Sequence, residues 1–192
     1  KLYSKSIAQF LFEDSKYMDQ IDFQFIDDLE KFSPLHDIGK VGIRDKILLK
    51  PGKLTTEEFE EMKFHTQYGA EVLRAADENI SKNGRPVFTL GIEIAECHHE
   101  KWNGAGYPKG LKGEEIPLSA RIVAIADVFD ALTSRRPYKE PFSPDFAFSL
   151  IEKESGQHFD PEIVRIFKHN ELRIIKLYDS FQEGNPKSDT IL

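Results

Sequence analysis

Leu118-Ser119-Ala120-Arg121-Ile122-Val123-Ala124-Ile125-Ala126-Asp127-Val128-Phe129-Asp130-Ala131-Leu132-Thr133 is apolar on nearly every side of a helical wheel. A helix at a protein surface carries one apolar stripe, whereas a helix apolar all round is enclosed by other elements. This stretch is therefore expected to be the central helix of a bundle. Asp127 and Asp130 interrupt it. Three residues apart they share one helical face, and burying them without partners would be costly.

Helical patterning continues on both sides. Apolar stripes run through residues 3–12 and 20–33, which read as two antiparallel helices. Pro34 breaks the second, and Leu35-His36-Asp37-Ile38 follows at once, placing the histidine and aspartate near an inward-facing helix end. Gly39 and Gly42 read as helix stops. Pro51-Gly52 marks a turn. Thr55 or Thr56, with Glu57 and Glu58 behind, has the form of a capped helix start. A further helix is expected over 66–79, with His65 at its junction, and another from Pro86 to about His99. A glycine-rich loop over 100–117 leads into the central helix. Beyond it Pro137, Pro141 and Pro144 punctuate a loop carrying Arg135, Arg136 and Lys139. Helices over 143–153 and 161–178 follow, the second with Asp160 as cap and Pro161 as first residue. Strand signal is almost wholly lacking, so the fold class is all-α, a helical bundle of roughly seven helices.

The 192 residues, 40% of them hydrophobic, suit one domain with a proper core. A catalytic domain is expected over 1–182 and a polar tail over 183–192. The formal charge of −7 argues against a general basic surface for long nucleic acid. A small anionic ligand remains compatible with it, since a bound cation reverses the field locally. Cys97 is the one cysteine, so no disulfide forms within the chain, and a reducing compartment, the cytoplasm, is expected. No apolar run reaches about 18 residues, so no membrane span is expected.

Four of the six histidines stand beside features that point to metal: His36 with Asp37, His65, and the pair His98-His99 before the glycine-rich loop. Each alone has an ordinary structural explanation; their joint occurrence with Asp127 does not. A mixed imidazole and carboxylate set suits iron, manganese or zinc better than magnesium or calcium. It also exceeds what one ion with an open position needs. Two ions bridged by a carboxylate fit better, and such a pair typically performs in-line displacement at phosphorus.

His36-Asp37-Ile38-Gly39-Lys40, Lys63-Phe64-His65-Thr66, His98-His99-Glu100, Asn103-Gly104, Gly106-Tyr107-Pro108, the run from Ala120 to Leu132 and Arg136-Pro137-Tyr138-Lys139 together resemble the HD-GYP family. That resemblance implies a bacterial metal-dependent phosphodiesterase that cleaves cyclic diguanylate to linear pGpG and, in some members, on to GMP. It implies metal ligation by His36, Asp37, His65, His98, His99 and Asp127, with Asp37 bridging two ions, or three, of iron or manganese. It implies that Lys40 contacts the scissile phosphate and protonates the leaving oxygen, that Gly106 and Tyr107 line the substrate pocket, and that Arg136 and Lys139 hold the phosphates.

In one respect the chain departs from the family pattern. Members usually carry a further histidine, and in some a glutamate, on the helix before the His-Asp pair, and no histidine precedes His36 here. Since the chain begins at Lys1, those ligands are expected either to lie upstream of it or to be lacking in this protein; a sensor or receiver domain is expected upstream, and diguanylate cyclases are expected functional partners. Two other readings compete with the enzyme: a signalling module that binds nucleotide or partner with little turnover, and an HD-type phosphohydrolase for another nucleotide.

Overall fold

The computed structural model describes residues 1–80, 86–135 and 140–183. Among these the chain is all-α: α1 (Leu2–Phe12), α2 (Phe23–Phe32), α3 (Asp45–Leu48), α4 (Thr56–Lys63), α5 (His65–Ile80), α6 (Thr89–Cys97), α7 (Leu118–Thr133), α8 (Pro144–Lys153), α9 (Pro161–His169) and α10 (Glu171–Glu183), joined in places by short 3-10 turns. The only β-type pairing among the described residues is a single bridge between Ser155 and Phe159. The segments outnumber the roughly seven helices expected because continuous patterns divide. Residues 161–178 break at Asn170 into α9 and α10, whereas the division at Phe64 between α4 and α5 falls at the junction expected there. The four-residue α3 is too short to show a helical period.

The central place of α7 explains its composition. Residues 119–126 are all buried, and α1, α6, α8 and α9 pack around it. Phe129 anchors the core, its ring centroid 5.0 Å from Tyr3, 5.1 Å from Phe148 and 5.5 Å from Phe167. Its two aspartates part company: Asp130 is exposed, while Asp127 is half-buried at the rim of the site described below. Arg121 is the charged residue within the buried run. Its Nη1 donates to Asp160 Oδ2 at 2.6 Å, and the side chains are only 8% and 3% exposed. Asp160 Oδ1 meanwhile accepts from the backbone N–H groups of Glu162 and Ile163, so one carboxylate caps α9 and neutralises the buried guanidinium.

Local signals explain most of the remaining boundaries. Lys5, early in α1, pairs with Glu30, late in α2, as the antiparallel arrangement requires. At α4 a reciprocal cap forms: Thr55 Oγ1 accepts from Glu58 N at 3.3 Å, and Glu58 Oε2 accepts from Thr55 N at 2.7 Å. Pro86 does not start α6. Val87 N and Phe88 N donate to Asp77 Oδ1 of α5 at 2.6 and 3.0 Å, which holds the chain in a loop until Thr89. Gly39 is no helix stop either, since the 3-10 turn continues through it to Gly42. A Cβ at Gly39 would lie 1.9 Å from His65 O and 2.3 Å from Gly69 N, so glycine is needed for this turn to lie directly on α5.

Candidate metal centre and the adjoining loop

Four elements bring the predicted ligands to one place. His36 and Asp37 sit between two 3-10 turns, His65 opens α5, His98 and His99 follow α6, and Asp127 projects from α7. One ligand atom each from Asp37, His65, His98 and His99 lies within 4.8 Å of the others. His36 Nε2 adjoins them, 3.3 Å from Asp37 Oδ2 and 3.5 Å from Asp127 Oδ1. Asp37 faces both ways, its other oxygen Oδ1 lying 3.5 Å from His65 Nε2.

The imidazoles are oriented by the backbone. His36 Nδ1 lies 2.8 Å from Ser33 O, His65 Nδ1 2.7 Å from Met62 O, and His98 Nδ1 3.0 Å from Ile94 O. A carbonyl can only accept, so each Nδ1 carries a proton, and each Nε2 is aimed inward, with a free lone pair on the neutral rings of His65 and His98. His65 Nε2, His98 Nε2 and Asp37 Oδ1 are buried and have no hydrogen-bond partner among the described residues. Buried polar atoms are seldom left unpaired, because that forfeits solvation. Three orphan atoms converging on one point, each a good metal donor, fit a divalent transition metal. The backbone hydrogen bonds on the far side of each ring are the usual support for such a ligand.

Electrostatics agree with the donor set. Burial lowers the pKa of His65 and, with the neighbouring His99, His36 and His65, pushes His98 well below its usual value. Burial, then His65, takes His99 down to about 3. These rings are neutral, the form that ligates metal. His36 behaves oppositely: burial lowers it, but hydrogen bonds to Asp127 and Asp37 prevail and raise it to about 10. A positive charge between those carboxylates is favoured, and a metal ion would compete with the proton for that place. For Asp37 burial acts upward, yet His36 and Lys40 hold the carboxyl well below the usual carboxylate range. Lys40 Nζ donates to Asp37 Oδ2 at 2.6 Å and is 40% exposed, at the open side of the cluster.

The glycine-rich loop leaves His99 and folds back over it. Tyr107 N donates to His99 O at 3.2 Å, and the Tyr107 ring lies 4.8 Å from that of His99. The Tyr107–Pro108 peptide is cis. A Cβ at Gly106 would meet Lys101 N at 2.3 Å, so glycine is required for the loop to close on itself. What pins the loop is Glu100, 2% exposed, whose two carboxylate oxygens accept from Lys109 N at 2.7 Å and Leu111 N at 3.0 Å. Trp102 N and Asn103 N donate to His158 O and Gln157 O, both at 3.0 Å, tying the loop to the α8–α9 turn. Tyr107 also borders a cavity of about 400 Å³, closed on its other side by Glu60, Lys63, Phe64 and Gln67.

Sequence reasoning missed Glu100 as the loop anchor and Glu60 altogether. The first had a signal, an acidic residue beside a loop with many unpaired N–H groups; a solvent-facing Glu60 had none. Arg136 and Lys139 lie outside the described residues.

An all-helical bundle with inward-facing, tautomer-fixed histidines around a two-faced aspartate is a metal-centre scaffold of the His-Asp hydrolase type. The model of the HD domain matches residues 24–163, and the chain belongs to that family. It is 48% identical over 181 residues to a "Probable cyclic di-GMP phosphodiesterase" of Vibrio cholerae serotype O1, covering 94% of this chain and 41% of that one. It is 51% identical over 154 residues to a "Cyclic di-GMP phosphodiesterase" of Thermotoga maritima, covering 80% of this chain and 40% of that one. These names accord with the resemblance to HD-GYP phosphodiesterases. A crystal structure of a V. cholerae cyclic GMP-AMP phosphodiesterase shares the fold, with a TM-score of 0.51 at 21% identity over 91% of this chain and 43% of that one. The chain thus spans about two-fifths of the length of the two curated relatives described.

Proposed function

We propose that this chain is a metal-dependent phosphodiesterase domain that hydrolyses cyclic di-GMP to linear pGpG, acting in the cytoplasm in second-messenger signalling. The observation that carries the reading is the convergence of the unpartnered His65 Nε2, His98 Nε2 and Asp37 Oδ1 beside a loop carrying Gly106-Tyr107-Pro108. Nothing among the described helices is long and apolar enough to cross a membrane.

Asp37 is the bridge in this reading. Its Oδ2 lies 3.3 Å from His36 Nε2, which in turn lies 3.5 Å from Asp127 Oδ1, its Oδ1 faces His65, and His98 and His99 would complete the second group. The set suits two ions of iron or manganese. When bound, such ions supply Lewis acidity at phosphorus and ease deprotonation of a water nucleophile. The residues do the remaining work. The Asp37 carboxylate orients Lys40 through their hydrogen bond. With substrate present, Lys40 reaches the scissile phosphate and gives a proton to the departing 3′ oxygen as the P–O bond breaks. Tyr107, packed on His99, forms one wall of the cleft and keeps water from that side of the cluster. Arg136 and Lys139 hold the phosphates.

Chromatographic detection of pGpG, with wild-type protein and Asp37→Ala each loaded with manganese or iron, tests the proposal. Turnover by the wild type and none by the variant is expected. Tight nucleotide binding without product, at full metal content, would instead identify a binding module.

A further inference from the structure

We infer that the cavity beside Tyr107 is a base-reading subsite in which Glu60 and Lys63 select guanine over adenine; this rests on the cyclic dinucleotide reading above. The cavity, about 400 Å³, is walled by Tyr107 and Phe64 and rimmed by Glu60, Lys63 and Gln67. Its volume lies in the range of small-ligand sites. Tyr107 joins it to the metal cluster, since that ring also lies 4.8 Å from the ring of His99. A base attached to a phosphate at the cluster therefore has this cavity within its reach.

Its walls suit a purine. Phe64 is 45% exposed, its ring 6.1 Å from that of Tyr68, and offers an aromatic face for stacking. Lys63 is held in position: its Nζ lies 5.1 Å from the Phe59 ring centroid, 5.5 Å from that of Tyr107, and 2.6 Å from Glu60 Oε1. Neither member of the ion pair is saturated by the other. An ammonium has three donors, and a carboxylate has about four lone-pair sites. The pair therefore presents a donor next to an acceptor at fixed spacing.

That order matches guanine. Guanine offers the O6 acceptor beside the N1–H and N2–H donors, so Lys63 can donate to O6 while Glu60 accepts from N1–H. Adenine carries the reverse order, an N6 amino donor beside the N1 acceptor. It would set its amino group against the ammonium and its lone pair against the carboxylate. Two adjacent polar contacts of this kind discriminate bases by about tenfold or more. Glutamine at position 60, presenting both a donor and an acceptor, would lose the discrimination at N1, leaving only that of Lys63 at the neighbouring position.

The experiment gives cyclic di-GMP and cyclic di-AMP separately to wild-type protein and to Glu60→Gln. It measures the ratio of kcat/KM for the two, and the ratio of their dissociation constants by titration calorimetry. Glu60 is exposed on α4, so the variant keeps its fold. Wild-type preference for the guanine ligand, falling about tenfold in Glu60→Gln by both measures, is expected. An unchanged ratio, or a wild type that binds both ligands equally, overturns the inference. Failure of the wild type to hydrolyse either dinucleotide would refute the enzymatic reading, while the binding ratios would still decide the subsite.

Discussion

Gly39→Ala should disable the site more than it destabilises the fold. The added methyl would fall 1.9 Å from His65 O, against the 3.4 Å at which ordinary contact begins, so the 3-10 turn must retreat from α5 by roughly 1.5 Å. Inserting a methyl into a tight contact costs about 1–3 kcal/mol. A domain with about 5–15 kcal/mol of stability survives that. The site does not: the retreat separates His36 and Asp37 on the turn from His65 on α5, and a misplacement of about 1 Å at a reacting centre costs roughly 100-fold. Bound metal measured by plasma mass spectrometry and hydrolysis of cyclic di-GMP should both collapse, while the urea midpoint falls modestly. Gly42→Ala is the contrast, because the nearest atoms to its Cβ belong to the Tyr68 ring, a side chain 37% exposed and able to swing out. Full metal content and turnover in Gly39→Ala would refute the argument that this contact sets the ligand spacing.

Other perturbations separate loop, core and pH effects. Glu100→Gln sets a side-chain NH2 donor against one of the two loop N–H donors that Glu100 now accepts from; at about 1–3 kcal/mol for the lost pairing, the loop should loosen, raising KM about tenfold at unchanged metal content, as steady-state kinetics would reveal. Asp160→Ala strands Arg121 in the core and removes the α9 cap, so urea unfolding should show a loss of about 3–5 kcal/mol; a loss below about 1 kcal/mol would mean the pair contributes little. His158 has its pKa lowered to about 4, by burial and then by Lys101, from an ordinary 6.5. The unfolded state therefore takes up the proton first, and stability present above pH 6.5 is lost as pH falls toward 4. The stability difference between wild type and His158→Phe should shrink across that window; a pH-independent difference would rule this contribution out.

The fold was readable wherever one local cause decides it. The apolar circumference of α7 shows enclosure, the Thr55 cap shows a start, and Asp160 with Pro161 shows another. What escaped depends on distant partners. Gly39 looks the same in sequence whether it ends a helix or admits a neighbouring backbone, and only α5 passing His65 O beside it decides. Pro86 suits a first helical turn, but Asp77 captures the next two N–H groups. Asp127 and Asp130 share a helical face, and the resemblance, not the wheel, singles out Asp127. The candidate ligands stood out because four histidines and two aspartates coincide with family-like motifs, and the fold brings them side by side. Glu60 and Glu100 were missed because an isolated glutamate carries no sign of the cavity or loop it will face.

Anomalous diffraction from crystals of the manganese-loaded protein tests the central claim most directly. Two peaks flanking Asp37 are predicted, one within bonding distance of His65 Nε2 and His98 Nε2, the other beside His36 and Asp127. No peak in the cluster at full manganese loading, or peaks only elsewhere on the surface, would contradict the two-metal account.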